Sequence, residues 1–162
     1  PVSPENEKQA EIHYKNGLTN FEGELYNDAM SDFSKAITLN PNYAEAHYMI
    51  GRVKLSLKLD YDALADFTKA IQLKPDFDNA YYWRGYVYFT LRMDTEAIYD
   101  LSECIKFKPD FANAHYYRGQ AYYGLRNYEE AIKCFTQAVS LNPNDLDAYY
   151  YRANSYLSLA KY

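Results

Sequence analysis

The feature that most restricts the fold of this chain is a strict 34-residue period. Gly17, Gly51, Gly85 and Gly119 are 34 residues apart, and so are Pro41, Pro75, Pro109 and Pro143. Ala29, Ala63, Ala97 and Ala131 keep the same step, as do Phe33, Phe67, Leu101 and Phe135. Such a period marks an array of small units, each unable to bury its apolar face alone and stabilised by stacking on its neighbours. Four units begin at Ala10, Ala44, Asp78 and Ala112, giving 10–43, 44–77, 78–111 and 112–145, and residues 146–162 supply the first helix of a fifth or a capping helix. Positions below are counted from those starts. Residues 1–9, PVSPENEKQ, are polar and proline-bearing; they read as a linker and lack the apolar stretch of a secretory signal.

Within each unit two amphipathic segments are separated by a short polar break. In the fourth, His115, Gly119 and Tyr122 form an i, i+4, i+7 stripe, and Ala131, Phe135 and Ala138 form another. Two such stripes facing each other make a helical hairpin. Glycine costs about 1 kcal/mol inside a helix, so its return at position 8 predicts close helix contact, expected against the small residue at position 20. Proline at position 32 lacks a backbone donor and crowds the preceding turn, so it ends the second helix. The fold class is all-α.

This spacing of small, aromatic and proline residues resembles the tetratricopeptide repeat (TPR) family over residues 10 to 162. Departures are His13, His47, Tyr81, His115 and Tyr149 where the family prefers Trp, and Asn16, Ile50, Arg84, Arg118 and Arg152 where it prefers Leu. The resemblance implies a right-handed superhelical solenoid of antiparallel helix pairs whose first helices line a concave, peptide-binding surface. The family's two-carboxylate clamp needs Lys, Asn and Arg at set positions; the first window here holds Tyr14, Leu18, Met49, Asn79 and Trp83, so chaperone tails are not the expected ligand.

Position 5 lies about 100° round from position 4, away from the hairpin seam, and carries Tyr14, Tyr48, Tyr82, Tyr116 and Tyr150. Neighbouring inner positions add Met49, Trp83, Tyr117 and Tyr151 at position 6, Arg52, Tyr86 and Gln120 at position 9, Phe89 and Tyr123 at position 12, and Asn79 and Asn113 at position 2. Tyrosine gives large amphipathic contact area with only two torsions to freeze. The candidate peptide-binding residues are therefore Tyr14, Tyr48, Met49, Arg52, Asn79, Tyr82, Trp83, Tyr86, Phe89, Asn113, Tyr116, Tyr117, Gln120 and Tyr150. The competing reading is that the position-5 tyrosines pack between neighbouring units.

The net charge of −5 lacks the clustered Lys/Arg footprint that nucleic acid requires. No apolar run reaches the roughly 18 residues of a membrane span. Cys104 and Cys134 form neither a C-x-x-C pair nor a dense framework, which fits a reducing compartment and a cytoplasmic location. The three histidines at position 4 lie on separate helices, too far apart to share a zinc ion. No nucleophile–base set or phosphate-cradling loop is present, so neither an enzyme, a cofactor nor a metal is expected.

The expected function is a protein–protein interaction scaffold, with a substrate-recruiting segment of a larger enzyme or a self-associating structural repeat as alternatives. The last segment exposes Tyr149, Tyr156, Leu157 and Leu159 on a helix flank, which predicts a further helix or end-to-end association. Arginine at position 7 and aspartate at position 23 predict register-fixing pairs, Asp66 with Arg84 and Asp100 with Arg118, across unit boundaries.

Overall fold

The computed structural model describes residues 2–160, and among them the regular structure is entirely helical. The helices are α1 (Pro4–Glu22), α2 (Tyr26–Leu39), α3 (Ala44–Ser56), α4 (Asp60–Leu73), α5 (Asp78–Thr90), α6 (Asp94–Phe107), α7 (Ala112–Gly124), α8 (Tyr128–Leu141) and α9 (Leu146–Leu159). Two compact units divide the chain between Ala80 and Tyr81. In the first, α1 packs on α2, α2 on α3 and α3 on α4; in the second, α6 packs on α7, α7 on α8 and α8 on α9.

The hairpins close on the glycines, with a different partner from the one expected. A Cβ on Gly17 would stand 2.6 Å from Phe33 Cε1, one on Gly51 2.8 Å from Phe67 Cε1, and one on Gly119 2.8 Å from Phe135 Cε1. A Cβ on Gly85 would likewise stand 2.9 Å from Leu101 Cγ, so Leu101 seats α5 on α6. The glycine therefore makes room for the large residue at position 24, not for the alanine at position 20. Those alanines, Ala29, Ala63, Ala97 and Ala131, are fully buried, as are Phe33, Phe67, Leu101 and Phe135.

The turn inside each hairpin is a Schellman motif. After α1, Leu25 N–H donates to Asn20 O at 2.8 Å and Glu24 N–H to Phe21 O at 3.0 Å; the residue between helix and exit is left-handed. The same bonds recur at Lys58 and Leu59, Arg92 and Met93, and Arg126 and Asn127. The left-handed residues are Glu24, Lys58, Arg92 and Arg126, with φ of 60°, 63°, 61° and 60°. None is glycine, so each turn carries a modest backbone strain.

Two expectations are corrected. Residues 4–9, read as linker, are the first turns of α1: Pro4 opens the helix and Ser3 caps it, its hydroxyl accepting from Asn6 N–H at 3.2 Å. Proline at the first helical position forfeits no bond, and Glu5 and Glu7 suit the positive helix end. The predicted cross-boundary ion pairs also give way to pairs inside single hairpins. Arg84 forks onto Asp100, Nε to Oδ2 at 2.6 Å and Nη2 to Oδ1 at 2.7 Å, while Asp66 takes Lys54 Nζ at 2.6 Å. Arg118 instead donates to Cys134 Sγ at 3.3 Å and Ser102 Oγ at 3.2 Å. Antiparallel packing sets position 7 against position 23 of the same hairpin, which period alone does not reveal.

The glycine contact yields a stability test. Gly51→Ala gains about 1 kcal/mol of helix propensity but drives a methyl into the Phe67 ring, and overpacking costs about 1–3 kcal/mol. Net destabilisation in urea unfolding is expected. Ala153, which holds the glycine position in α9, is exposed; Ala153→Gly should cost about 1 kcal/mol by propensity alone.

Candidate functional site

The first helix of each hairpin carries the candidate residues, and the structure sorts them into two groups. Three of the position-5 tyrosines lie against the aromatic residue that ends their own repeat. Tyr14 stacks on Tyr43 with centroids 4.9 Å apart, Tyr48 on Phe77 at 4.9 Å and Tyr82 on Phe111 at 4.5 Å. Tyr14 and Tyr48 also touch the position-24 rings of Phe33 and Phe67, at 5.6 and 6.0 Å. Tyr82 is only 5% exposed and Met49 only 7%, the latter in a cluster with Phe33, Ile50 and Val53. Both are core residues, which corrects their place among surface candidates: each is covered by packing on an adjacent element.

Tyr116 has no aromatic end-of-repeat partner, because that position is Asp145. It packs on Phe135 at 6.0 Å and its hydroxyl accepts from Gln120 Nε2 at 2.5 Å. Arg52 plays the equivalent part in the first unit, donating from Nη1 to Tyr48 Oη at 3.1 Å and lying over the Phe21 ring at 5.6 Å. Tyr150 is 62% exposed and meets Tyr151 edge-on at 5.3 Å.

The second group is a connected, half-buried aromatic face on the second unit. Trp83 meets Tyr86 edge to face at 5.6 Å, Tyr86 meets Tyr117 at 5.0 Å, and Phe89 meets Tyr117 at 5.5 Å. Tyr123 and Tyr151, 5.9 Å apart, extend the aromatic character toward α9; they occupy inner positions 12 and 6 but were not among the candidates. Asn113 is exposed and hydrogen-bonds the Tyr82 phenol. Asn79, in the first unit, is exposed. Edge-to-face geometry satisfies the ring quadrupoles and leaves ring faces available to an incoming side chain.

Two of the position-4 histidines are turn fasteners. His47 Nε2 faces Pro41 O at 3.2 Å and His115 Nε2 faces Pro109 O at 2.8 Å. A carbonyl only accepts, so Nε2 carries the proton in both. His13 Nδ1 lies 3.4 Å from Asp32 Oδ1. Among the described residues, no group of three or more acidic, histidine or cysteine side chains converges as metal ligands would. None of the described helices is long and apolar enough to cross a membrane.

Sequence profiles described as tetratricopeptide repeat match residues 112–145 and 134–162, and one described as TPR repeat matches 61–91 and 94–125, together more than half the chain. The chain belongs to the TPR family. A crystal structure of MamA superposes with a TM-score of 0.88 at 22% identity, covering 94% of this chain and 84% of that one. The MamA 41-end structure from Desulfovibrio magneticus RS-1 gives 0.83 at 19%, covering 99% and 94%. YrrB, described as a TPR protein with an unusual peptide-binding site, gives 0.77 at 25%, covering 87% and 73%. No curated protein sequence matches the chain. The MamA likeness, at these identities, is one of fold.

In this TPR protein burial dominates the electrostatics of four inner tyrosines, Tyr14, Tyr82, Tyr116 and Tyr117. It pushes the Tyr14 and Tyr116 phenols up to about 12, against the Gln120 hydrogen bond in the second case, and raises Tyr82 and Tyr117 as well. The folded state thus holds these phenols neutral at a pH where the unfolded chain, near 10, has lost the proton. The associated stability is complete below pH 10 and is lost as pH rises through about 12. A phenolate absorbance titration should show a late fraction that ionises together with loss of helical circular dichroism. Complete ionisation near pH 10 with helicity intact would mean the tyrosines are not packed in this way.

Proposed function

We propose that this TPR protein is a protein–protein interaction scaffold whose second unit binds a peptide or helical segment of a partner on the aromatic face formed by Trp83, Tyr86, Phe89 and Tyr117. The observation that carries this reading is the network of contacts among half-buried rings: Trp83, Phe89 and Tyr117 back onto the buried cluster of Tyr82, Leu101 and Cys104 without being covered by it, and the seam itself is filled by Leu101 and Phe135 over Gly85 and Gly119. Rigid, pre-packed aromatics lose little entropy on binding and are typical anchors. In the first unit Arg52, held by Tyr48 and Phe21, offers hydrogen bonds beside an aromatic surface. Apolar, proline or aromatic side chains are the ligand's natural anchors.

The ligand is not the double carboxylate of a chaperone tail. The clamp positions carry Tyr82, Tyr86, Tyr117, Asp147 and Tyr151 in the last window, none of them cationic. Catalysis has no part in this reading. The two thiols are buried and form no disulfide with each other, and burial pushes the Cys134 thiol up, which suits structural cysteines in a reducing compartment such as the cytoplasm.

A second surface is favoured by one observation. On α9, Leu146 is 80% exposed, and Tyr156 and Leu157 are both more than half exposed. Such a flank exceeds what isolated surface apolars need, and we read it as an association surface for a further helix or a second copy. Light scattering across a concentration series checks it: mass should rise with concentration and fall back in Leu157→Glu.

Trp83 is the sole tryptophan, so its fluorescence reports on the proposed site. Peptides selected from a random library are expected to shift its emission and bind in the micromolar range, about −8 kcal/mol. By calorimetry Trp83→Ala or Tyr117→Ala should weaken them at least tenfold, as truncation of an anchor does. Unchanged affinity in both variants would move the binding surface away from these rings.

A further inference from the structure

Two of the left-handed turn residues, Arg92 and Arg126, come from consecutive hairpins of the second unit and line one cavity. It measures about 360 Å³, and its other walls are Gln120, Tyr123, Gly124, Tyr128 and Tyr151. Its chemistry is unlike that of the aromatic face beside it: two guanidinium groups, a side-chain amide and three phenols, all able to donate hydrogen bonds. Gln120, Tyr123 and Tyr151 sit on inner positions 9, 12 and 6, so the cavity is continuous with the surface already assigned to peptide.

The position of Arg92 is built into the fold. Its Nη2 lies 3.4 Å from Oδ2 of Asp94, a carboxylate only 7% exposed, and a Cβ at residue 124 would stand 3.0 Å from that nitrogen and 2.8 Å from Asp94 Oδ2. Glycine at 124 thus lets the guanidinium lie over α7; the same position in the other hairpins is Glu22, Ser56 and Thr90. One contact at 3.4 Å uses little of the donor capacity of a five-donor guanidinium, and the Arg92 side chain is 65% exposed. Arg126 lines a neighbouring depression with Glu129 as well, and Asp94 is the carboxylate beside Arg92.

We propose that this cavity holds an oxyanion of the bound peptide, a carboxylate or a phosphorylated side chain, between Arg92 and Arg126. The inference rests on the peptide-binding reading and gives it a specificity element. Guanidinium pairs suit oxyanions through charge-assisted, forked hydrogen bonds, and Gln120, Tyr123 and Tyr151 supply neutral donors. A cation just past a helix C-terminus is favourable in itself, but Glu24 holds the same place after α1, and helix-end electrostatics does not gather neutral donors into the cavity. At the other end of the face Asp145 acts on Tyr116 and Tyr117. The second unit thus carries an acidic group near the start of α9 and one guanidinium at each of its hairpin turns, an arrangement that favours one direction for a peptide with one acidic end.

The guanidinium Nε–Hε resonances of the full chain test the site without any peptide. Titrated with acetate and with phenyl phosphate at constant ionic strength, the Arg92 and Arg126 signals should move and saturate while Arg52, Arg84 and Arg118 stay still; the probe that saturates first names the anion. Arg126→Gln should abolish saturation at Arg92. Linear drift shared by all arginines, or an Arg92 response indifferent to that substitution, overturns the proposal. Peptides selected for Trp83-dependent binding should carry an acidic or phosphorylated residue at constant spacing from their apolar anchor, and lose at least tenfold in an Arg92→Gln/Arg126→Gln variant. Trp83-dependent peptides without that residue and without that loss overturn the anion site and leave peptide binding standing. Saturable anion binding with no Trp83-dependent peptide overturns the peptide reading and, with it, the peptide origin of the anion.

Discussion

Everything in this structure depends on how closely two helices approach at one point in each hairpin. With a bare Cα at position 8, the position-24 side chain lies flat against the backbone of the first helix, and a Cβ there would fall below 3 Å from it. That contact sets helix spacing and antiparallel register together. Register then decides that Arg84 reaches Asp100, that Lys54 reaches Asp66, and which positions of the first helix are left to face outward. The inner aromatic surface is a by-product of the seam: residues turned away from the glycine become the ones that can meet another molecule.

The twenty tyrosines of the chain are consequently not one population. Tyr14, Tyr48 and Tyr82 at position 5 extend the core sideways onto the aromatic residue at the repeat's end, and burial keeps the Tyr14 and Tyr82 phenols protonated far into the alkaline range. Those at positions 6, 9 and 12 of the second unit pack on one another through their edges. Mutual support among surface rings freezes them without covering them, the condition under which an aromatic side chain binds with least loss of freedom.

The hairpins were legible in the sequence because glycine, proline and position-24 residues recur at a fixed step. The candidate site was legible only in part. Trp83, Tyr86, Phe89 and Tyr117 could be placed on an inner face by helical angle, and they lie together. Tyr82 and Met49 share that angle yet are buried, since Phe111 lies over the former and the latter sits in a neighbouring cluster; angle specifies direction, not what stands in the way. The helical start at Pro4 was hidden because Glu5 to Lys8 carry no apolar stripe, leaving only the Ser3–Pro4 cap as a signal. Arg92 and Arg126 were overlooked because a Schellman turn without glycine leaves no compositional mark.

The exchange at position 34 bears on how the array comes apart. Tyr43 and Phe111 cap their helices without a side-chain hydrogen bond and serve as stacking partners, whereas Asp145 caps α9 by accepting from Ala148 N–H at 3.0 Å. At the last boundary position 34 therefore gives up its ring contact for a bond inside one helix. Local order at the first turn of α9 is reinforced, while its hold on the preceding hairpin passes to Tyr151, whose ring meets Tyr116, Tyr123 and Phe135. Amide exchange in α9 would then follow the opening of the hairpin on which Tyr151 is docked, with its capped first turn no freer than the rest.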